Sequence, residues 1–451
     1  MKAIILCSEK EEKMFPFDKK YQLNSLPILN KELILWQIEQ LLKIGISESN
    51  IYVFLGHRSD QTRNIIKEHN NIHCIDPSRK LETFLRENLD LFDEGTLLLK
   101  GNYFADFKDL ESILYSESNT SVLLTKKQQQ SVDMIGADVS NNQVNKFLGH
   151  AREHYVNSEV AGIFKLSKEA LRSISLSEYG FNKRVTGSMI PNCLFVENGL
   201  NDYIDKGHMI EAIFAQNSIH CLQFPWDIMK VNAYYLNLAT KNNKETHVGE
   251  NSRISEDAFI NGSVVLGKNS YVGKNVIING PVIIGNNVTI DSGAILNGPI
   301  LIGNDTYVKE YAKIKPNTVI GNENRIGHNA EIEGVTMTGI SAIHYCEMYG
   351  VIGQYVDIAA ACVCGVLRFN DTQQEHRING RNYSGSYSNA VFIGDFTRTG
   401  VNNIFFPGVK VGSECALYPG LSIEEDISHE KLVIKTQEYI EKEWGYKKYG
   451  W

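Results

Sequence analysis

The chain has 451 residues, 43% of them hydrophobic and 10% aromatic, with a net charge of −8 at neutral pH. At about 100–200 residues per domain this length admits two or three packed domains, and the composition excludes a disordered chain. The evenly spread negative charge excludes a general attraction to nucleic acid or anionic membrane, and no apolar run approaches the roughly 20 residues that span a bilayer.

The chain opens on a strand-like run, "KAIIL", followed by the loop "LCSEKEEKMFPF". The opening turns acidic too soon for a secretory signal, so a cytoplasmic location is expected. Apolar runs such as "NIYVFLG" and "GTLLLKGN" then alternate with helical-period stretches such as "NKELILWQIEQLLKIG". That alternation predicts βαβ units and a Rossmann-like α/β domain over residues 1–238. The polar stretch 239–253 reads as a linker. Cys7, Cys74, Cys193, Cys221, Cys346, Cys362, Cys364 and Cys415 lack the spacing of a disulfide framework or a CxxC zinc site, so reduced thiols are expected.

From Ile254 a six-residue period begins. An aliphatic residue recurs at Ile254, Ile260, Leu266, Val272 and Ile278, and so on to Ile326 and Ile332, usually followed by a small or polar residue. This hexapeptide period predicts a left-handed parallel β-helix over 254–426, with each hexapeptide forming one face of a triangular coil. The period breaks at "GVTMTGISAIHYCEMYG", resumes at Ile352, Ile358 and Cys364, breaks again at "LRFNDTQQEHRINGRNYSGSYSNAVF", and returns at Ile393. Both breaks are expected to extrude as loops, where functional groups concentrate. Residues 427–451 form the tail, and "SHEKLVIKTQEYIEKEWGYKKYGW" reads as a helix capping the last coil.

Short motifs carry a family resemblance. "MTGISAIH", "LRFND", "FIGDFTRTGVN" and "FFPGVKVG" in the second half, with "NSLPILNKELILWQIEQLLKIGI" and "FPWDIMKVNAYYLNL" in the first, resemble the bifunctional sugar-1-phosphate nucleotidylyltransferase and amino-sugar-phosphate N-acetyltransferase family, in its archaeal-type branch. The resemblance implies an α/β nucleotidyltransferase-like N-terminal domain followed by the β-helix. It also shows what has changed. Nucleotidyl transfer needs backbone N–H groups open to a triphosphate, positive charge, and carboxylates holding Mg²⁺. Here the family's glycine loop carries Glu9, Glu11 and Glu12, its lysine position holds Leu23, and its two metal aspartates fall on Asn102 and Cys221. Asp106 and Asp227 are possible substitutes, but a helix cap and a structural carboxylate are the expected roles.

In the second half the resemblance implies acetyl transfer from acetyl-CoA, or another acyl-CoA, with a histidine as general base. His344 falls on that position. Lys315 falls where the family has an arginine that could hold a phosphate, Asp357 on a substrate asparagine, Arg368 in the L-R-x-D motif, and Arg398 on the lysine of K-T-G, where it could meet CoA phosphates. A substrate lysine becomes Glu333 and a basic cluster becomes "SYSN", so the acceptor is expected to differ from glucosamine 1-phosphate. No metal is expected in this step. One metal alternative stays open: His344 and Cys362, and likewise Cys346 and Cys364, lie one ideal coil of eighteen residues apart and would form a Cys₃His set. The competing reading is that inward cysteines simply fill the prism.

Three functions follow. The first is an acyl-CoA-dependent acyltransferase acting on an amino-sugar phosphate or sugar nucleotide. The second is a non-catalytic sugar-nucleotide-binding or scaffolding protein, and the third a nucleotidylyltransferase with a rearranged phosphate loop. A homotrimer is expected, with small-molecule partners and neither nucleic acid nor membrane.

Overall fold

The computed structural model describes residues 1–7, 13–126, 135–149, 155–177, 194–243, 245–436 and 442, and it divides into two compact units, Met1–Ala239 and Thr240–Trp451. The acidic loop residues Glu9, Glu11 and Glu12 lie outside the described residues, as does Cys193.

The first unit is built on a nine-stranded sheet. Its centre is parallel: Ala3–Leu6 lies between Ile51–Phe54 and Thr96–Lys100, and His73–Ile75 extends the edge. Ala3–Leu6 and Ile51–Phe54 are buried throughout and continuously apolar, as parallel strands under helices are, whereas the edge strand His73–Ile75 is partly exposed. Beyond Thr96–Lys100 the long strand Ser158–Leu166 runs antiparallel and joins Ser121–Lys126. The helix Leu33–Lys43 buries Leu33, Ile34, Gln37, Ile38 and Leu41. The Gln37 amide donates to the carbonyls of Lys100, at 3.0 Å, and Tyr103, at 2.9 Å, which fixes the chain just past the central strand. This is the expected nucleotidyltransferase-like α/β fold.

The second unit is the left-handed parallel β-helix. Ile260, Ile278, Leu296, Ile314 and Ile332 stack in register on one face, each eighteen residues from the last. The residues after the aliphatic have a clear task at the corners. Asn286, Asn304 and Asn322 each accept, through Oδ1, the backbone N–H of the residue eighteen back, at 2.8 Å. Another corner needs a left-handed residue, and Asn269 and Asn287 adopt φ of 54° and 56°, a region Asn tolerates better than most residues. Pairing begins inside the stretch read as a linker, where His247–Val248 runs beside Val265–Leu266.

Two expectations need correction. The first concerns the break at 334–350, which extrudes no loop. Ile320 pairs with Thr336, Ile326 with Ala342 and Glu331 with Glu347, so the coil continues but is shortened to sixteen residues. The shortening occurs where Glu331–Thr336 and Glu347–Ile352 run as continuous strands through a corner. Gly334 (φ 118°) and Gly350 (φ 154°) make the bend, and a Cβ on Gly350 would lie 1.8 Å from the Val391 carbonyl oxygen. The second concerns the tail. Leu432–Val433 pairs with Ala416–Leu417, and Ile427 bridges to Val411, so the coil extends past 428 instead of giving way to a helix. The stretches 437–441 and 443–451 lie outside the described residues. The second break does leave the coil, as a loop carrying the hairpin His376–Ile378 and Arg381–Tyr383.

Candidate functional site

In the first unit the two positions expected to carry metal aspartates meet. The Gly101 N–H donates to the Leu6 carbonyl at 2.6 Å, and a Cβ on Gly101 would sit 2.6 Å from the same oxygen, so only glycine allows the chain this close to the central strand. The next residue, Asn102, is 4% exposed. Its Nδ2 donates to Cys221 Sγ at 3.2 Å, across 119 residues of sequence, while its Oδ1 is buried without a hydrogen-bond partner. Mg²⁺ demands hard oxygen ligands, normally carboxylates, and one amide oxygen beside a thiol does not supply them. The residues present therefore do not fit the metal. The possible substitutes are engaged elsewhere. Asp106 caps the helix Phe107–Leu114 by accepting from the Lys108 N–H, at 3.1 Å. Asp227 accepts from the N–H groups of Gln223, at 3.0 Å, and Phe224, at 2.8 Å, and burial pushes its carboxyl up to about 6. Leu23, at the lysine position, is buried.

In the β-helix, His344 sits at a coil corner between the strands Ser341–Ala342 and Glu347–Ile352. Its φ is 53° and that of Tyr345 is 56°, two consecutive left-handed residues with full side chains. Such backbone costs free energy and persists only where surrounding structure enforces it. The enforcing contacts are visible. The Tyr345 N–H donates to the His328 carbonyl at 3.2 Å, the Ala361 N–H donates to the His344 carbonyl at 3.0 Å, and a Cβ on Gly327 would lie 2.5 Å from the His344 nitrogen. The shortened coil stacks the two imidazoles, with Nδ1 of His344 2.9 Å from Nδ1 of His328. Tyr345 packs edge-on against His328 at 4.8 Å.

The same register takes apart the Cys₃His set. With a sixteen-residue coil, Glu347 pairs with Val363, so Cys346 stacks with Cys362 and Cys364 with Met348. Cys364 Sγ contacts Met348 Sδ at 3.7 Å, and burial pushes the thiols of Cys346 and Cys364 up to about 12. They are apolar fillers of the prism. Among the described residues no group of three such side chains is placed to hold a metal.

One face beside this corner carries a mixed charge cluster. Lys315 Nζ is 3.0 Å from Glu331 and 3.7 Å from Glu333, and Lys313 joins Glu331 at 2.9 Å. Lys315 therefore sits among carboxylates, which hold it strongly in its charged form. Glu333 is raised by burial, and Tyr349, the register partner of Glu333, is pushed up to about 12 by burial and by that carboxylate. Tyr387, within "SYSN" of the inserted loop, also feels Glu333. The lysine-to-glutamate change and the loss of the basic cluster are thus neighbours in space. Asp357 pairs in register with Arg398 on another face, and its Oδ1 is buried without a hydrogen-bond partner. Arg368 bonds within its own loop, to Thr372 Oγ1 and the Gln373 carbonyl, both at 3.3 Å. His344 and His328 are brought together, as are Asp357 and Arg398. Lys315 gathers with Glu331 and Glu333, and Arg368 stands apart on the loop.

The loop is anchored by a buried histidine. His376 Nε2 donates to the Ser388 carbonyl at 2.8 Å, and burial, with Lys410 nearby, lowers its pKa to about 4. A neutral buried histidine gives stability that is complete above the unfolded pKa near 6.5 and is lost as pH falls toward 4. His376→Gln removes this titration, so the thermal midpoint is expected to fall less between pH 6.5 and 4 than in the wild type.

The repeat and the α/β unit together define a hexapeptide-repeat protein with a nucleotidyltransferase-like domain. The bacterial transferase hexapeptide (six repeats) family matches residues 263–298 and 299–334. A bifunctional sugar-1-phosphate nucleotidylyltransferase/acetyltransferase of Sulfurisphaera tokodaii is 27% identical over 440 residues, 95% of this chain and 98% of that protein. The bifunctional protein GlmU of Methanocaldococcus jannaschii is 25% identical over 447 residues, 98% of this chain and 99% of that protein. The inositol-1-phosphate CTP transferase of T. maritima superposes with a TM-score of 0.40 at 16% identity, over 50% of this chain and 90% of that one. Along nearly its whole length the chain is similar to bifunctional sugar-1-phosphate nucleotidylyltransferase/acetyltransferases of archaea, at 25–27% identity. No described helix is long and apolar enough to cross a membrane.

Proposed function

We propose that this protein is an acyl-CoA-dependent acyltransferase acting on an amino-sugar phosphate or sugar nucleotide, and that its nucleotidyltransferase-like domain has lost the metal-dependent reaction. The single observation that carries the first part is His344 at the family's base position, with its Nδ1 2.9 Å from Nδ1 of His328. In the reaction the amine nitrogen attacks the thioester carbonyl carbon and a C–N bond forms as the C–S bond breaks. The amine proton passes to His344 Nε2 and then to the leaving thiolate, giving an amide and free CoA thiol.

Lys315 contacts the acceptor, Asp357 and Arg368 complete that site from neighbouring chains of the assembly, and Arg398, exposed on its strand, meets the CoA phosphates. Lys315 shares its charge with Glu331 and Glu333, which favours an acceptor presenting hydroxyl or amine groups there rather than a bare phosphate. A panel of acyl-CoAs with amino-sugar phosphates and amino-sugar nucleotides tests the reading by thiol release. Release that requires both substrates is the expected result, and none from any pair would leave the sugar-nucleotide-binding, scaffolding reading in its place. The contact of Asn102 with Cys221 at the two metal positions speaks against nucleotidyl transfer by the first domain.

The β-helix assembles as a homotrimer through its flat parallel faces. The inserted loop from Arg368 to Phe392 crosses to a neighbour, where the exposed Leu367 and Phe369 would be covered. Light scattering at micromolar concentration is expected to give three times the chain mass, and a monomer mass would refute the assembly.

A further inference from the structure

We infer that His328 is a positioning residue for His344. It accepts a hydrogen bond that fixes the His344 imidazole with its proton on Nδ1 and its lone pair on Nε2. This deepens the acyltransferase reading and rests on it for the direction of the bond.

The geometry makes one part of the inference compulsory. The two Nδ1 atoms are 2.9 Å apart, with ring centroids 4.4 Å apart and planes inclined by 60°. Two neutral imidazoles can share such a bond only if one ring carries its proton on Nδ1 and the other presents a bare Nδ1. If His344 donates, its Nε2, on the far side of the ring from His328, keeps its lone pair and can take the amine proton. If His328 donates, Nε2 of His344 carries a hydrogen and cannot act as a base. The competent arrangement is therefore His344 Nδ1–H donating to His328 Nδ1. His328 then does what a carboxylate does for a catalytic histidine elsewhere: it selects the tautomer and orients the ring, then stabilises the imidazolium when the proton arrives.

The pair is built rather than incidental. Tyr345 holds the His328 ring edge-on, and the N–H of the same tyrosine bonds the His328 carbonyl, so both rings are tied to one corner. The close approach at Gly327 lets the two rungs stack at that distance. The charged and titratable groups on adjoining rungs are Lys309 and Glu310 below, Glu331 and Glu347 on the strands that follow, and Tyr345 alongside. The rung above offers only Ala359, Ala360 and Ala361. No carboxylate is hydrogen-bonded to either ring among the described contacts, which leaves His328 as the group that orients His344.

Long-range proton–nitrogen NMR correlation of the full chain labelled with ¹⁵N-histidine reads the tautomer directly, without any substrate. The chain has 12 histidines, and the His344 signals are assigned by their loss in His344→Asn. The wild type at alkaline pH is expected to show His344 with a protonated Nδ1 and a bare Nε2. His328→Asn keeps an acceptor oxygen and should preserve that pattern. His328→Phe keeps an aromatic ring against Tyr345 but no acceptor, and should return His344 to the Nε2–H form that free histidine prefers. A bare Nδ1 on His344 in the wild type overturns the inference even if neither variant folds, and so does an unchanged pattern in a folded His328→Phe. Absence of turnover with every acyl donor would overturn the acyltransferase reading while the tautomer result stood independently.

Discussion

His344→Asn is expected to lower thioester-dependent turnover by about 10²–10⁴-fold, the usual contribution of a general base. Asparagine is the better replacement because of the backbone. At φ 53° the corner is left-handed, a conformation that asparagine adopts more readily than alanine or the histidine it replaces. Asparagine tolerates the corner and cannot take up a proton. The variant should melt within a few degrees of the wild type and bind acyl-CoA as well, because the loss falls on the chemical step alone. Thiol release at saturating donor, set beside the thermal midpoint of the same sample, checks both halves. Full activity in a folded His344→Asn protein would remove His344 from the mechanism.

How much of this was legible in the chain depended on whether the repeat stayed regular. Along residues 254–332 each aliphatic residue predicts an inward position, and the ladder from Ile260 through Ile332 follows that prediction. The βαβ alternation likewise predicts the parallel centre of the first sheet. The site was harder because it lies where the period changes. An eighteen-residue coil would set His344 between Ile326 and Cys362, whereas the sixteen-residue coils set it between His328 and Ala360. The signal for the shorter coil was present in Gly334 and Gly350, sixteen residues apart, each able to turn a corner within a strand. Nothing in linear order marked Tyr387 as a neighbour of Glu333, since a long inserted loop must fold back to bring them together. The contact of Asn102 with Cys221, by contrast, was implied once both were aligned on metal positions, because ligands of one ion must converge.

Asn102→Asp combined with Cys221→Asp is expected to convert the first domain from indifference to Mg²⁺ into dependence on it. In the wild type the amide and thiol meet at 3.2 Å and neither brings a negative charge, so adding Mg²⁺, alone or with a nucleoside triphosphate, should leave the thermal midpoint unmoved. Two carboxylates at these positions repel. At about 4 Å and an effective dielectric near 20, unit charges interact by about 4 kcal/mol, and a buried pair relieves this by retaining a proton or by loosening the fold. The double variant in chelator should therefore melt below the wild type. A divalent ion inverts the balance by binding the folded state alone: at a hundredfold excess over its dissociation constant it adds about 2.7 kcal/mol. For a domain of this size that corresponds to a rise of roughly 5–10 °C. Differential scanning calorimetry of both proteins, with chelator and with millimolar Mg²⁺, decides the matter. A Mg²⁺-dependent rise in the wild type would mean that other ligands replace the missing aspartates. No rise in the double variant would mean that Asn102 and Cys221 do not converge on an ion site.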